Sequence, residues 1–164
     1  MRALLLALPL AACAGSPPVA SANAPAFDPI AFFDGRTRGA GELRIPLRRP
    51  RSLTVEGEGR VRADGTLVLR QRVEEERRPP RTRRWELRRL GLNTFEGTLT
   101  DATGPVRALR DGARLRITYP SRVGDVEQWL TLSPDGRTAT NRLTVSRFGV
   151  VIARVDETIR KHGG

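Results

Sequence analysis

The sequence has very few of the side chains from which most catalytic centres are built. It contains one cysteine, Cys13, and one histidine, His162, in 164 residues. A single cysteine excludes an internal disulfide framework and the zinc sites that need several thiolates. A serine nucleophile would have no histidine base near it, because the one histidine lies in the polar C-terminal tail. There is also no Gly-rich phosphate loop, so the sequence predicts neither a metal site nor a cofactor.

Paired carboxylates are the remaining catalytic alternative. The candidate pairs are Glu56 with Glu58, and Asp156 with Glu157. Both pairs lie in charge-dense segments, where a solvated strand face is the simpler interpretation. We therefore expect a protein that is not an enzyme, and a carboxylate-dependent enzyme is one alternative.

Long apolar runs are missing as well. The apolar segment near the N-terminus, residues 3–10, is far shorter than the ~20 residues that span a bilayer. Arg2 precedes it and Leu10-Ala11-Ala12-Cys13 ends it, in the order of an export signal. This lipobox-like pattern predicts that residues 1–12 are a lipoprotein signal peptide and that Cys13 carries the lipid. A chance cysteine after an apolar N-terminus is the alternative.

The segment after the cysteine is predicted to link the lipid anchor to a folded domain. Residues 14–26 are alanine, serine, proline and glycine with one valine and one asparagine, a composition typical of a flexible tether. The lipidated cysteine and its tether thus span residues 13–26, and residues 27–164 form a single domain. Ala14, instead of an aspartate, follows the cysteine, which favours the outer membrane over the inner one. We expect the domain to face the periplasm, with its oligomeric state open.

The rest of the sequence shows the period of two that half-buried strands have. For example, Leu115, Ile117 and Tyr119 alternate with polar residues. Turn signals such as Asp111-Gly112 separate about nine or ten such strands, which indicates an antiparallel meander. A short helix precedes them, because Asp28-Pro29 is a good helix start. We predict an all-β fold in which the meander closes into a barrel, since closure removes exposed edges, with a sandwich as the alternative.

Several short motifs resemble a known family. They are Phe27-Asp28-Pro29, Phe32-Phe33, Gly35-Arg36-Thr37, Trp85-x-Leu87, Phe95-Glu96-Gly97-Thr98, Trp129-x-x-Leu132, Asn141-Arg142 and Ser146-Arg147-Phe148-Gly149. Over about residues 27–160 the chain resembles the proteobacterial family called domain of unknown function 3833. The resemblance implies an exported lipoprotein with a lipocalin-like (calycin-type) β-barrel, and it implies no particular activity.

A few polar residues interrupt the apolar faces of the strands. Gln71, Gln128 and Asn141 lie in otherwise apolar registers, as the few polar groups of a ligand pocket do. The alternative is that these amides lie near strand ends or pair with each other and with the backbone. The candidate ligand-binding residues are Gln71, Trp85, Gln128, Asn141, Arg142, Arg147 and Phe148. Phe148 has a second interpretation as a plug at one barrel end.

The charge of the sequence favours anionic partners. Basic residues outnumber acidic ones by 29 to 18, and Lys161 is the only lysine. The choice of arginine also fits a GC-rich coding bias. The run Arg77 to Arg84 could bind anionic lipid headgroups, or be a solvated hairpin tip. Nucleic acid is not expected as a partner, since no aromatic stacking platform accompanies the basic run.

Together these features predict a lipid-anchored cell-envelope protein that binds a small amphiphilic or lipid ligand. Its apolar body would lie in the barrel, with its anionic head near arginines at the rim. The alternative is a structural envelope lipoprotein with a filled barrel and no ligand.

Replacing the cysteine tests the predicted anchor. A Cys13→Ala variant has no thiol to acylate, so we expect it in the soluble fraction, whereas the wild-type protein stays with the membranes. Cell fractionation with immunoblotting measures this, and a Ser16→Ala variant is the matched control. Membrane association of Cys13→Ala would contradict the anchor. Recovery of the wild-type protein in the inner membrane would contradict the predicted sorting.

Overall fold

The computed structural model describes residues 19–162. The predicted signal peptide, Cys13 and the first part of the predicted tether lie outside the described residues. The described chain has one helix, α1, at Pro29–Phe33. The strands are β1 Gly35–Arg44, β2 Arg51–Val61, β3 Leu67–Glu75, β4 Arg81–Arg89, β5 Thr94–Leu99, β6 Val106–Asp111, β7 Arg114–Ser121, β8 Gly124–Leu132, β9 Thr138–Arg147 and β10 Val150–Lys161.

The ten strands form one closed antiparallel barrel. Each strand pairs with its neighbours in the chain, and β1 also pairs with β10, from Thr37 opposite Lys161 to Arg44 opposite Arg154. Every strand therefore has a hydrogen-bonded partner on both sides, and no sheet edge is left exposed. The predicted all-β meander with barrel closure is confirmed, and the sandwich alternative is wrong.

The alternation along the strands sorts the side chains into a lumen and an outer wall. On β7, Leu115, Ile117 and Tyr119 are buried, while Arg116 is exposed on the outer wall. The same alternation makes a main core that runs through β3 to β10 and includes the aromatic side chains at α1. Its buried leucine, valine and aromatic side chains supply most of the stability, at about 25 cal/mol per Å² of apolar surface removed from water.

A bulge interrupts the alternation near the start of β10. In a regular strand Val151 would lie on the same face as Ala153 and Val155. In the structure Val151 pairs with Ser146 but Ala153 pairs with Val145, so a β-bulge adds one residue between them. Because a shift of one residue moves a side chain to the other face, Val151 lies on the outer wall.

One end of the barrel is plugged by the segment before β1. The Asp28 carboxylate caps α1 by accepting a hydrogen bond from the Ile30 N–H at 3.0 Å. Phe27, Phe32 and Phe33 are buried, with successive ring centroids 5.1 Å and 4.9 Å apart. The short helix predicted from Asp28-Pro29 is confirmed, and its aromatic side chains form a plug. We call this end the plugged end.

A glycine in β2 lets the plug approach the barrel wall. A side-chain carbon at Gly59 would lie 1.9 Å from the Phe33 carbonyl oxygen, which is far inside van der Waals contact. The helix end therefore packs directly on the backbone of β2. The opposite end, which carries the β1–β2, β3–β4, β5–β6, β7–β8 and β9–β10 connections, is the open end.

The last residues of the predicted tether lie against the barrel. Ala20 and Ala24 are partly buried on the main core, and the Ala24 N–H donates to the Ser21 carbonyl at 3.1 Å. The Phe27 N–H then donates to the Gly112 carbonyl in the β6–β7 turn at 2.8 Å. The chain thus enters the barrel at its plugged end.

Removing the helix cap tests the role of the plug. Asp28 also accepts a hydrogen bond from Arg89 at 2.6 Å, so we expect Asp28→Ala to lower the free energy of unfolding by about 1 kcal/mol or more. Urea unfolding followed by tryptophan fluorescence measures this. Asp34→Ala is the matched control, because Asp34 lies at the other end of α1 and is exposed. Equal effects of the two substitutions would show that the cap is not what holds the plug.

Candidate ligand-binding site in the barrel

The lumen contains a cavity of about 790 Å³ at the open end of the barrel. Its size lies within the range of about 300–1,000 Å³ that is usual for small-molecule sites. The main core fills the lumen towards the plugged end. The alternative expectation of a filled barrel therefore holds only for the half of the barrel near the plugged end.

Near the open end one side of the cavity is apolar, and we call this side the upper wall; Glu75, Arg81, Asp101 and Arg122 are among the residues that line the remainder. Leu53, Val55 and Val73 form a small buried cluster that is separate from the main core, with Leu43 and Val155 packed against it. All five line the cavity. Aliphatic side chains that surround an open space offer a surface on which an apolar ligand group is stabilised by about 0.8 kcal/mol per buried methylene.

Below this wall the cavity is lined by polar groups, among them Arg83. Its Nε donates to the Gln71 Oε1 at 2.9 Å, and its guanidinium lies 5.8 Å from the Trp85 ring centroid. The Trp85 Nε1 donates to the same Gln71 oxygen at 2.8 Å. Two donors on one amide oxygen fix the amide, and the amide and the indole together fix the guanidinium.

Among the described residues no carboxylate is in direct contact with Arg83, although its charge acts on the Glu157 carboxyl across the cavity. The neighbouring Arg81 and Arg84 pair with Asp101 and Glu86, whereas Arg83 forms no ion pair with any residue that the structure describes. A half-buried, oriented and unpaired guanidinium in a cavity wall is suited to binding a carboxylate or phosphate.

A carboxyl group on the other side of the cavity is buried. Glu157 is 9% exposed and accepts a hydrogen bond from the Asn141 Nδ2 at 3.0 Å. Gly39 makes room for it, because a side-chain carbon there would lie 1.7 Å from the Glu157 Oε1. Burial raises the pKa of Glu157, while the Asn141 hydrogen bond and the positive charge of Arg83 oppose that rise.

This buried carboxyl corrects the interpretation of residues 156–157 as a solvated pair. Asp156 lies on the outer wall and accepts a hydrogen bond from the Arg142 Nε at 2.8 Å, but Glu157 lies in the lumen. The two carboxylates therefore cannot act on one substrate. The signal that could have found Glu157 was its register, two residues beyond the apolar Val155, but two adjacent acidic residues suggested a surface.

The predicted ligand-binding residues fall into two groups. Gln71, Trp85, Gln128 and Asn141 are all buried in the lumen. Only Asn141 lines the cavity itself, and its Oδ1 is buried with no hydrogen-bond partner among residues 19–162. Gln71 and Trp85 do not line the cavity, but they orient Arg83, which does. Gln128 pairs with Ile117 in the β7–β8 ladder, nearer to the plugged end than the pair formed by Val126 and Tyr119.

The other three predicted residues lie outside the lumen. Arg142 is on the outer wall beside Asp156. Phe148 is 92% exposed at the β9–β10 turn, where the Arg147 guanidinium lies 5.4 Å from its ring centroid. The interpretation of Phe148 as a barrel-end plug is wrong, because the turn directs it into solvent and the α1 segment supplies the plug.

Tyr119 completes the lining and was not singled out from the sequence. Its ring makes an edge contact with Trp85 at 5.9 Å between centroids. Burial raises the pKa of Tyr119, so the phenol is neutral at physiological pH and can donate a hydrogen bond.

Two kinds of feature are not found within residues 19–162. No group of three or more histidine, cysteine or acidic residues could hold a metal, and no helix has the length and apolarity to cross a membrane.

The buried carboxyl predicts a pH dependence of stability. The folded pKa of Glu157 is raised above its ordinary value of 4.5. The protein therefore keeps its full stability below that pH, where the buried carboxyl is protonated, and loses stability as the pH rises through the folded pKa and the carboxyl ionises. We expect Glu157→Gln to remove this loss, so the difference in unfolding free energy between variant and wild type grows in favour of the variant from about pH 4 to pH 8. Urea unfolding at a series of pH values measures it.

The matched control for that series is Glu56→Gln, since Glu56 is an exposed carboxylate on the outer wall. This substitution makes the same chemical change at an exposed position, so the pH dependence that belongs to position 157 is the difference between the two series. Equal pH dependence in the two series would contradict the raised pKa.

Comparisons with known structures agree with this architecture. The S-type phycobiliprotein lyase CPES from Guillardia theta superposes with a TM-score of 0.62 at 6% identity, covering 82% of this chain and 91% of the lyase chain. Rv2717c from M. tuberculosis superposes with a TM-score of 0.63 at 14% identity, covering 84% of this chain and 99% of that one. At these identities the likeness concerns the fold alone. No curated protein sequence matches the chain.

The family comparison covers nearly the whole chain. The family described as protein of unknown function (DUF3833) matches residues 7–161, which include β1 to β10 and all the residues of the cavity. The resemblance that the short motifs indicated is thus confirmed, as is the lipocalin-like barrel that it implied. The chain belongs to the DUF3833 family of proteins.

Proposed function

We propose that this protein is a lipid-anchored component of the bacterial cell envelope that binds a small amphiphilic ligand in the open end of its barrel. The observation that carries the proposal is the cavity of about 790 Å³ with an apolar upper wall above the unpaired Arg83. Cys13 would carry the lipid, and the domain would face the periplasm, at the outer membrane in preference to the inner one.

The layout of the cavity supports a ligand whose anionic group points inward. Arg83, Asn141 and Glu157 lie below the apolar wall formed by Leu43, Val55 and their neighbours. An anionic head bound to Arg83 would gain a charge-assisted hydrogen bond of about 1.5–3 kcal/mol, and its apolar part would lie along the upper wall towards the mouth. This orientation is the reverse of the one expected from the sequence.

The buried carboxyl would narrow the choice of head group. With its pKa raised by burial, a protonated Glu157 could donate to a ligand oxygen without repelling an anion. The free Asn141 Oδ1 needs a donor. A head group that combines an acidic oxygen with a hydroxyl or amide donor would satisfy all three side chains.

Binding is a better-supported activity than catalysis. One structural neighbour is called a lyase, but its 6% identity carries no activity over to this chain. Three acidic side chains line the cavity: Asp101 is paired with Arg81 and Glu75 with Arg51, so Glu157 is the one without an ion pair among the described residues. We therefore propose a binding protein and no catalytic step.

Titration with a fluorescent fatty acid tests the proposal. We expect saturable binding to the wild-type protein and an affinity about tenfold lower or more for Arg83→Gln, because the charge-assisted hydrogen bond is lost. The matched control is Arg84→Gln, which removes the next arginine of β4 on the outer wall. The uncharged methyl ester of the same fatty acid should bind both variants and the wild type equally.

Further measurements test the position of the head group and the identity of the ligand separately. An Arg142→Ala, Arg147→Ala double variant should bind as the wild type does. Absence of saturable binding to the wild type would end the fatty-acid proposal, and equal binding by Arg83→Gln would place the head group elsewhere. Native mass spectrometry of protein purified from its own membrane identifies any retained lipid.

A further inference from the structure

Three neighbouring hairpins at the open end carry exposed apolar side chains at their tips. Leu47 in the β1–β2 connection is fully exposed, Phe148 at the β9–β10 turn is 92% exposed and Val123 at the β7–β8 turn is 59% exposed. The strand order around the barrel places these three hairpins side by side. Together these three hairpin tips form one side of the open end, which we call the rim.

Two of these three tip residues have an unfavourable backbone conformation. Leu47 has φ of 62° and Phe148 has φ of 51°, in the left-handed region that bulky residues avoid. Three turns at the plugged end meet the same demand with glycine, at Gly65, Gly112 and Gly136. A strained leucine and a strained phenylalanine at exposed tips indicate that the side chains themselves have a role there.

Arginines accompany the apolar tips on all three hairpins. Arg48 and Arg49 follow Leu47, Arg122 precedes Val123 and Arg147 precedes Phe148. All four arginines are exposed, and within the described range none forms an ion pair, although arginines on the barrel wall such as Arg116 and Arg142 do. The rim therefore presents uncompensated positive charge around exposed apolar groups.

We propose that the rim docks onto the surface of an anionic phospholipid bilayer. Leu47, Val123 and Phe148 would enter the interface between headgroups and acyl chains, and the four arginines would bind the phosphates. Charge complementarity selects this partner, because arginines next to apolar tips match a surface that is anionic outside and apolar just beneath. The mouth of the cavity lies within the same end, so docking would bring it to the lipid surface.

The plugged end offers an internal comparison. Leu90 and Leu92 in the β4–β5 connection are also exposed. Their neighbouring arginines are engaged within the protein, since Arg89 pairs with Asp28 and Arg110 donates to the Asn93 side chain and the Leu92 carbonyl. Exposed leucines without free arginines should not bind an anionic bilayer in the same way.

Vesicle flotation of the full chain carrying Cys13→Ala, which removes the proposed lipid anchor, tests the rim. Vesicles of phosphatidylcholine with phosphatidylglycerol are compared with pure phosphatidylcholine. We expect binding to the anionic vesicles, and a fall of at least about tenfold in the partition coefficient for a Leu47→Ser, Phe148→Ser variant. The matched Leu90→Ser, Leu92→Ser variant should bind as its parent does.

Charge is tested separately with two variants of equal net charge. The rim variant carries Arg48→Gln, Arg49→Gln, Arg122→Gln and Arg147→Gln, and the wall variant carries Arg36→Gln, Arg38→Gln, Arg70→Gln and Arg107→Gln. The rim variant should lose at least about tenfold in binding to anionic vesicles and the wall variant much less. Equal losses would show that only net charge matters and would overturn the proposal.

A labelled variant keeps the test independent of any folding defect. Since Cys13→Ala leaves no cysteine, Leu47→Cys takes a single environment-sensitive fluorophore, and Leu92→Cys takes the same label at the plugged end. A blue shift on anionic vesicles at position 47 but not at position 92 is the expected result. No shift at position 47, or a rim-dependent dimer in sedimentation without vesicle binding, would overturn the proposal. None of these readouts depends on a ligand in the cavity.

Discussion

The pairing of the first strand with the last is the constraint on which the rest of the structure depends. β1 and β10 join along most of their length, and without this ladder the meander would have two free edges. The same ladder brings Gly41 opposite Glu157 and lets Gly39 leave space for the carboxyl. Because α1 directly precedes β1, closure also sets the plug over one end. Barrel, buried carboxyl and plug are thus three results of one strand pairing.

The contrast between a solid and a hollow half follows from the side chains that meet in the lumen. At the plugged end Phe27, Phe33 and Leu67 fill the space. Towards the open end the inner faces of β1 and β2 carry small or short side chains, among them Gly41, Leu53 and Val55. These do not reach across a barrel of ten strands, whose interior is wider than that of the eight-stranded barrels that side chains can fill. A polar layer around Arg83 then lies between the two halves.

Local pattern predicted most of the fold and part of the site, and the missing parts depend on register across the chain. Alternation and Asp-Gly turns are local signals, so the strands, the hairpins and the inward position of Gln71, Gln128 and Asn141 follow from them. The role of Arg83 does not: alternation with Trp85 and Leu87 puts it on the inner face, but it lies among arginines, and only its pairing with Gln71 across the barrel wall shows how it is held there. The bulge at Val151 and Ala153 is likewise invisible in a pattern of apolar residues.

The separation of β1 and β10 along the chain has a consequence for when the barrel can form. β1 ends at Arg44, whereas its partner β10 begins only at Val150, after all the other strands. Until that last strand is available, β1 remains an open edge and the ladder cannot close. Such a distant contact has a high loop-closure cost and slows folding. Closure of the barrel is therefore expected to be a late step of folding, after the hairpins between β1 and β10 have formed.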